Sequence, residues 1–401
     1  MSMNNKNIVY YGEYSLDLWI KMMLSGKISL PPYQRYYVWK EEQAVQLLDA
    51  LNNNRFIPPV TIAEFEETVE EKRIKRNYII DGQQRLTSIL LMYLGLFLDP
   101  DQFKSYDSTF VNEDGGDADV PELNIKEWKY TRLLEGGAVT RKAIRERCLN
   151  NGYKDFPVVI DEDLFTSRFL GFSFLIPNGE ERRERYYAKI FKELNFSGTR
   201  LSERESREAL YYLDSSFKDF LDPDFVKSIT VKKVAGKRVE RLDFVRYLSL
   251  LANYIKCGRN PRKIVVEYGS AARAKFYEDY ICSLSEDDDD SRFGKFSTLF
   301  PDGSYKSRLD ALQKICESYL NNEVFASIID LDIYVFGLVY WVLYEGRSIK
   351  TGALSAIGLK LNDAIAECKK DPRHVKSPAS PRHVRKRIEI SLSVYGEFVN
   401  D

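Results

Sequence analysis

Apolar residues recur at two periods along the first quarter of the chain. Val45, Leu48 and Leu51 stand at helical spacing, and Asn52, Asn53 and Asn54 follow them, which predicts a helix that stops at the asparagines. Val60 to Phe65 and Tyr78 to Ile80 are short runs rich in β-branched and aromatic residues and predict strands. From Leu86 the positions Leu86, Ile89, Leu90, Tyr93, Leu94 and Phe97 repeat at i, i+3, i+4 and i+7, the strongest helical pattern in the chain. Upstream, Ile28-Ser29-Leu30 runs into Pro31 and Pro32, which fix extended backbone and deliver Tyr33, Gln34 and Arg35 on a stiff segment.

Beyond these elements the pattern changes. Asp101 to Glu122 is polar and acidic, contains Asp114-Gly115-Gly116-Asp117, and predicts an insertion loop. The remainder is predominantly helical in pattern. The aspartate run between Ser285 and Ser291 interrupts it as a solvated loop, because like charges resist packing. Lys376-Ser377-Pro378-Ala379-Ser380-Pro381 predicts a linker, and Arg382 to Arg387 opens a basic last helix. The longest apolar stretches, Ile89 to Leu98 and Ile333 to Leu343, fall well short of the roughly 18 residues of a membrane span and predict buried helices.

Composition narrows the chemistry. Lys plus Arg number 59 against 60 Asp plus Glu, a formal net charge of −1, so the chain is not a bulk polycation for nucleic acid. With 44% hydrophobic and 13% aromatic residues it can fill real cores, which excludes disorder for most of its length. The opening Met1 to Asn7 offers no apolar run for a secretion signal. The five cysteines, Cys148, Cys257, Cys282, Cys316 and Cys368, are far apart and never form a Cys-x-x-Cys pair, against a disulfide framework or zinc ribbon. A cytoplasmic location is expected. The two histidines, His374 and His383, cannot assemble a His-rich nuclease centre. They are expected on a solvated basic helix, with DNA contact through Arg382, Arg385, Lys386 and Arg387 as the lesser alternative.

Three motifs carry candidate chemistry. In Tyr78-Ile79-Ile80-Asp81-Gly82-Gln83-Gln84-Arg85-Leu86-Thr87-Ser88 a strand turns at Gly82 into a helix whose first-turn amides face outward at the positive end of its dipole. Arg85 adds a fork suited to phosphate oxygens, and Gln83 and Gln84 add amide donors and acceptors. Asp81 beside a phosphate calls for a bridging cation such as Mg²⁺, or for a water or hydroxyl to orient. The plainer alternative, evenly matched at this point, makes Asp81 a helix N-cap with Gln and Arg as ordinary helix formers. The second motif, Pro31-Pro32-Tyr33-Gln34-Arg35-Tyr36-Tyr37-Val38-Trp39, places an arginine among aromatics that either stack on a base or fill a core. The third runs from Phe191 to Arg207, with Asn195 and Gly198 at a turn and Ser202 and Glu205 at capping-box spacing.

The ordered set Pro-x-Tyr-Gln-Arg-x-Tyr-Val-Trp, Asp-Gly-Gln-Gln-Arg-Leu-Thr-Ser and Phe-x-x-x-Asn-x-x-Gly-x-x-Leu-x-x-x-Glu-x-Arg resembles the N-terminal domain of GmrSD-type restriction endonucleases, domain-of-unknown-function family 262. The resemblance covers roughly Tyr14 to Leu213, with a weaker echo in residues 238–251. It implies an α+β fold: a small ParB/sulfiredoxin-like mixed sheet with helices over 1–215, carrying the acidic insertion near 101–122, then a mainly α-helical region over 216–401. It implies a nucleotide-binding and hydrolysing component of a modification-dependent DNA restriction or anti-phage defence system, using NTP and Mg²⁺. In that reading Asp81, Gln84 and Arg85 are catalytic, Asp81 holds Mg²⁺, and Tyr33, Gln34, Arg35, Gly82 and Gln83 bind the nucleotide. Asn195, Gly198 and Glu205 support them. The competing readings are a nucleotide-gated DNA sensor without turnover and a nuclease built on the ParB-like core. Many relatives carry a His-Asn-His nuclease domain whose signature this chain lacks, so the expected partners are DNA, modified or not, a separate nuclease chain, and further copies of the chain, with no membrane.

Overall fold

The computed structural model describes residues 8–31, 34, 36–69, 72–99, 104–105, 124–125, 128–135, 137, 140–149, 151–176, 190, 207, 210–211, 215–232, 239–265, 269–286, 291–320 and 324–400. Two compact units divide the chain at Ala209 and Leu210. The fold is α+β, a mixed sheet with helices followed by a mainly helical region.

The first unit is built on a five-stranded sheet. Its strands are β1 (Ile8–Ser15), β2 (Ile28–Ser29), β3 (Val60–Val69), β4 (Lys72–Asp81) and the strand Phe169–Ile176. In space the order is β1, Phe169–Ile176, β3, β4, β2. β3 and β4 are antiparallel, as are β1 and Phe169–Ile176; Phe169–Ile176 runs parallel to β3, and β2 parallel to β4. The two strands expected at Val60 to Phe65 and Tyr78 to Ile80 are thus the inner halves of one long hairpin.

Three helices cover this sheet's core. α1 (Leu16–Leu24) is capped by the Ser15 hydroxyl, which accepts from Leu18 N, and buries Leu16, Trp19, Ile20 and Met23 at i, i+3, i+4, i+7. α2 (Glu41–Asn52) ends at the predicted asparagines and buries Ala44, Leu47, Leu48 and Leu51. α3 (Gln83–Leu94) is buried nearly all round, with Leu86, Ile89, Leu90 and Leu91 fully covered. The apolar run predicted to continue to Phe97 is split, because Gly95 adopts φ 63° and ends the helix; Phe97 belongs to a short strand, Leu96–Leu98, that pairs with Tyr153–Asp155.

The second unit packs the helices Phe244–Lys256, Tyr305–Tyr319, Ile328–Leu338, Leu354–Lys369 and Pro381–Gly396 around one apolar core, with a small sheet of Thr230–Lys232, Val239–Arg241 and Val324–Phe325. Ile328–Leu338 is its axis and continues as π-helix over Val339–Tyr344. Ile333 to Leu343 is accordingly a buried helix. Among the described residues no helix is long and apolar enough to cross a membrane. A Cβ on Gly337 would stand 2.6 Å from Ser391 O and 2.2 Å from Tyr395 Cδ2, so only glycine lets the axis helix and Pro381–Gly396 approach this closely.

The sequence reading of the C-terminal basic segment requires correction. Pro381–Gly396 is a helix, but it is not solvated on the face that carries Arg387 and His383. Arg387 is fully buried and donates from Nε to Asp332 Oδ2 (2.7 Å), from Nη2 to Pro378 O (2.9 Å), and from Nη1 toward His374 Nε2 (2.8 Å). Asp332, also fully buried, accepts a second guanidinium from Arg246 and the Tyr247 hydroxyl. Arg385 caps Ile264 O, and only Arg382 and Lys386 of the four basic residues are exposed. His374 and His383 stack at 4.4 Å between centroids. The physical reason is periodicity: Val384, Ile388, Ser391, Leu392 and Tyr395 define a buried stripe that includes position 387, and the buried Asp332 supplies the counter-charge.

Candidate functional site

The junction between β4 and α3 gathers the described part of the two upstream motifs. β4 pairs Asp81 with Thr61 and Ile79 with Ile62, so Ile80 is the extra residue of a bulge immediately before Asp81. Gln34 covers that irregularity: it is buried and its Nε2 donates to Ile79 O (3.0 Å) and Ile80 O (3.2 Å). The chain then turns through Gly82 at φ 90°, a left-handed conformation that costs a side-chain-bearing residue about 1–2 kcal/mol. A Cβ there would also stand 2.9 Å from both Val60 Cγ2 and Arg85 Nη2.

Gly82 is the N-cap of α3 and has no side chain with which to cap it. Asp81 is therefore not the helix N-cap. Its carboxylate does not cap the helix; Oδ2 accepts from Arg85 Nη2 at 2.8 Å, one turn along. Arg85 Nη2 also reaches Pro59 O at 3.4 Å, while its Nε is buried without a partner among the described residues. Arg85 is mostly buried, at 13% exposed, while Asp81 reaches solvent at 36%. At the start of α3 a guanidinium oriented by a carboxylate therefore stands beside the positive end of the helix dipole, a geometry that favours a bound anion.

Gln84 has a different task. Its Oε1 accepts from Val38 N (2.9 Å) and Trp39 N (3.2 Å), and its Nε2 donates to Tyr36 O (2.9 Å) and Gln83 Oε1 (3.1 Å). Both lone pairs and both protons are committed, so Gln84 straps the 36–39 segment to the start of α3. Tyr37 adds a second tie, its hydroxyl 2.7 Å from Ser88 Oγ. The two motifs, about fifty positions apart in sequence, are thus joined by side-chain amides.

Tyr33 and Arg35 lie outside the described residues, as do Asn195, Gly198 and Glu205, the bulk of the acidic insertion, and residues 287–290 of the aspartate run. Of the site residues named from sequence, the structure brings together Gln34, Asp81, Gly82, Gln83, Gln84 and Arg85. Sequence reasoning did not single out Thr87 and Ser88 beyond the motif, nor Tyr37 beyond its aromatic neighbours. Two adjacent hydroxyl residues inside an otherwise apolar helix were the available signal, because a buried hydroxyl requires a partner.

A model of the GmrSD restriction endonuclease N-terminal domain matches residues 19–212. This stretch belongs to that family. The GmrSD N-terminal domain is a component of restriction endonucleases, and the β4–α3 junction lies wholly inside the matched segment. The chain is also similar to an uncharacterized protein of Methanocaldococcus jannaschii, 25% identical over 262 residues that make up 55% of this chain and 45% of that protein. The chain thus spans less than half of that relative. No solved structure matches it.

Among the described residues no group of three or more His, Cys, Asp or Glu side chains could hold a metal ion by itself. That does not conflict with a cation at Asp81, because Mg²⁺ is commonly held by one or two carboxylates together with ligand phosphates. Asp81 uses Oδ2 to accept from Arg85.

Proposed function

We propose that the GmrSD-type domain binds and hydrolyses a nucleoside triphosphate with Mg²⁺, as part of a modification-dependent DNA restriction or anti-phage defence system. The observation that carries this reading is the N-terminus of α3, opened by Gly82 and flanked by the Asp81–Arg85 pair. The positive end of the helix dipole and Arg85 neutralise phosphate charge without rearrangement, the kind of preorganised electrostatics that accounts for much of enzymatic rate enhancement. Asp81 fixes the guanidinium and offers its second oxygen to a cation, which would draw off charge developing on the phosphates. Tyr33 and Arg35 complete the lining in this reading, and Asn195, Gly198 and Glu205 support it. Gln84 contributes by holding the 36–39 segment in place rather than by orienting water, since its amide is already saturated. DNA is the proposed substrate of the assembly, with the nuclease supplied by another chain.

A second reading, a nucleotide-gated DNA sensor without turnover, is favoured by one detail. Gln84 is saturated and Asp81 has one oxygen committed to Arg85, so Gln84 is not free to orient water in the geometry described. Phosphate release separates the two. Turnover of the four triphosphates with Mg²⁺ is measured with and without modified and unmodified DNA. Hydrolysis that Arg85→Ala and Asp81→Ala each cut by at least about tenfold supports the catalytic reading. Binding without phosphate release supports the sensor, and wild-type turnover in both folded variants refutes the site.

A further inference from the structure

The Gln83 amide is oriented by its neighbours. Val38 N and Trp39 N are both donors, so they fix the oxygen end of the Gln84 amide. Gln84 Nε2 must then face Gln83, and only the Gln83 oxygen can accept from it. This leaves Gln83 Nε2 directed away from the strapped segment. It is buried and has no hydrogen-bond partner among the described residues, on a residue only 3% exposed. One turn later on the same helix face Thr87 is fully buried, and its Oγ1 also lacks a partner among the described residues. Positions i and i+4 place their Cβ atoms about 5–6 Å apart, close enough for one small acceptor to meet both groups.

An orphaned buried amide or hydroxyl costs about 1–3 kcal/mol, and a helix start that carries two on one face is expensive unless something fills them. The two groups are uncharged, and Leu86, Leu90 and Leu91 beside them are fully buried. Such a setting suits a neutral oxygen and disfavours a phosphate, whose charge would be desolvated without a counter-charge. The charged half of the junction, Arg85 and the first-turn amides, serves phosphate.

Building on the nucleotide reading, we propose that Gln83 Nε2 and Thr87 Oγ1 form a specificity subsite for a neutral oxygen of the nucleoside part, a sugar hydroxyl or a base carbonyl. Gln83 donates to it, and Thr87 donates or accepts according to which oxygen is present. The doublet of glutamines thereby divides its work, Gln84 holding the scaffold and Gln83 presenting the donor.

The test uses the full chain and opposes stability to affinity. Thr87→Val is nearly isosteric and removes an unsatisfied hydroxyl, so its urea midpoint should equal or exceed that of wild type. Its affinity for the preferred triphosphate, by titration calorimetry, should fall about tenfold, the scale of one neutral hydrogen bond. Thr87→Ser should retain affinity. The four triphosphates and their 2′-deoxy forms identify the oxygen. If wild type discriminates against the 2′-deoxy ligand and Thr87→Val does not, the subsite reads the sugar; if it is the preference among bases that Thr87→Val erases, the subsite reads a carbonyl. If wild type binds and Arg85→Ala does not, while Thr87→Val binds every ligand as wild type does, this inference falls and the nucleotide reading stands. If wild type binds no triphosphate, the nucleotide reading falls and takes the subsite with it.

Discussion

Acidification should unload the second unit through one residue, His374. The imidazole is fully buried, Arg387 Nη1 lies 2.8 Å from its Nε2, and His383 stacks on its face. A guanidinium can only donate, so Nε2 must be the bare nitrogen and Nδ1 carries the proton. A second proton would meet a guanidinium already in place, within a network where Arg246 and Arg387 outnumber Asp332 by one charge. Burial first, and then the Arg387, His383 and Lys386 charges, lower the His374 pKa from 6.5 to about 4. The folded state thus resists a proton that the unfolded state accepts. Stability is full above about pH 6.5, falls as the pH drops toward 4, and loses nothing further from this group below that. At roughly 1.36 kcal/mol per pH unit the loss is about 3 kcal/mol. The assay is urea unfolding of wild type and His374→Gln at several pH values from about 7 to 4, followed by circular dichroism. Glutamine can still accept from Arg387 but does not titrate, so the difference between the two isolates the histidine from every carboxylate. That difference should shrink by about 3 kcal/mol across the range. A pH-independent difference would refute the argument and mean that His374 is either reached by water or already charged.

Asp332→Asn leaves two buried guanidiniums without a counter-charge and should cost about 3–5 kcal/mol in chemical denaturation. Gly82→Ala combines left-handed strain with close contacts to Val60 and Arg85, so it should lose about 2–4 kcal/mol and weaken triphosphate binding along with it. Replacing Arg382, Arg385 and Lys386 by Ala should leave a folded protein whose salt dependence of DNA affinity can be measured, whereas adding Arg387→Ala should unfold the second unit, visible as lost helical circular dichroism.

How much of this was legible in advance differs between the two units. Around the site, local rules were sufficient. Gly82 in a strand–turn–helix sequence requires a left-handed turn whatever surrounds it, and the period of Leu86 to Leu94 specifies a buried helix directly behind it. The relation of the glutamines to the Tyr-Gln-Arg motif was not legible, because spacing says nothing about which carbonyl a side-chain amide will meet. Gln34 covers the carbonyls around a bulge that exists only once β3 and β4 pair with a one-residue mismatch. Asp81 shows the limit most clearly, since cap and ion-pair partner are equally good uses of a carboxylate at that position, and the φ of the next residue decided between them.

At the C-terminus the local reading failed for an identifiable cause. Arg382 to Arg387 is a charge-rich run, and by composition alone it belongs in water. Position 387 falls on the buried stripe of Pro381–Gly396, and a carboxylate 55 residues earlier makes that burial tolerable. Periods and turns are properties of consecutive residues, so the sequence alone determined the helix that ends at the asparagines, the strands at Val60 and Tyr78, and the buried helix that Gly82 opens. Charge satisfaction is a property of residues distant along the chain, so only the tertiary structure decided which arginine faces solvent, which pairs with Asp332, and which stands ready at the mouth of α3.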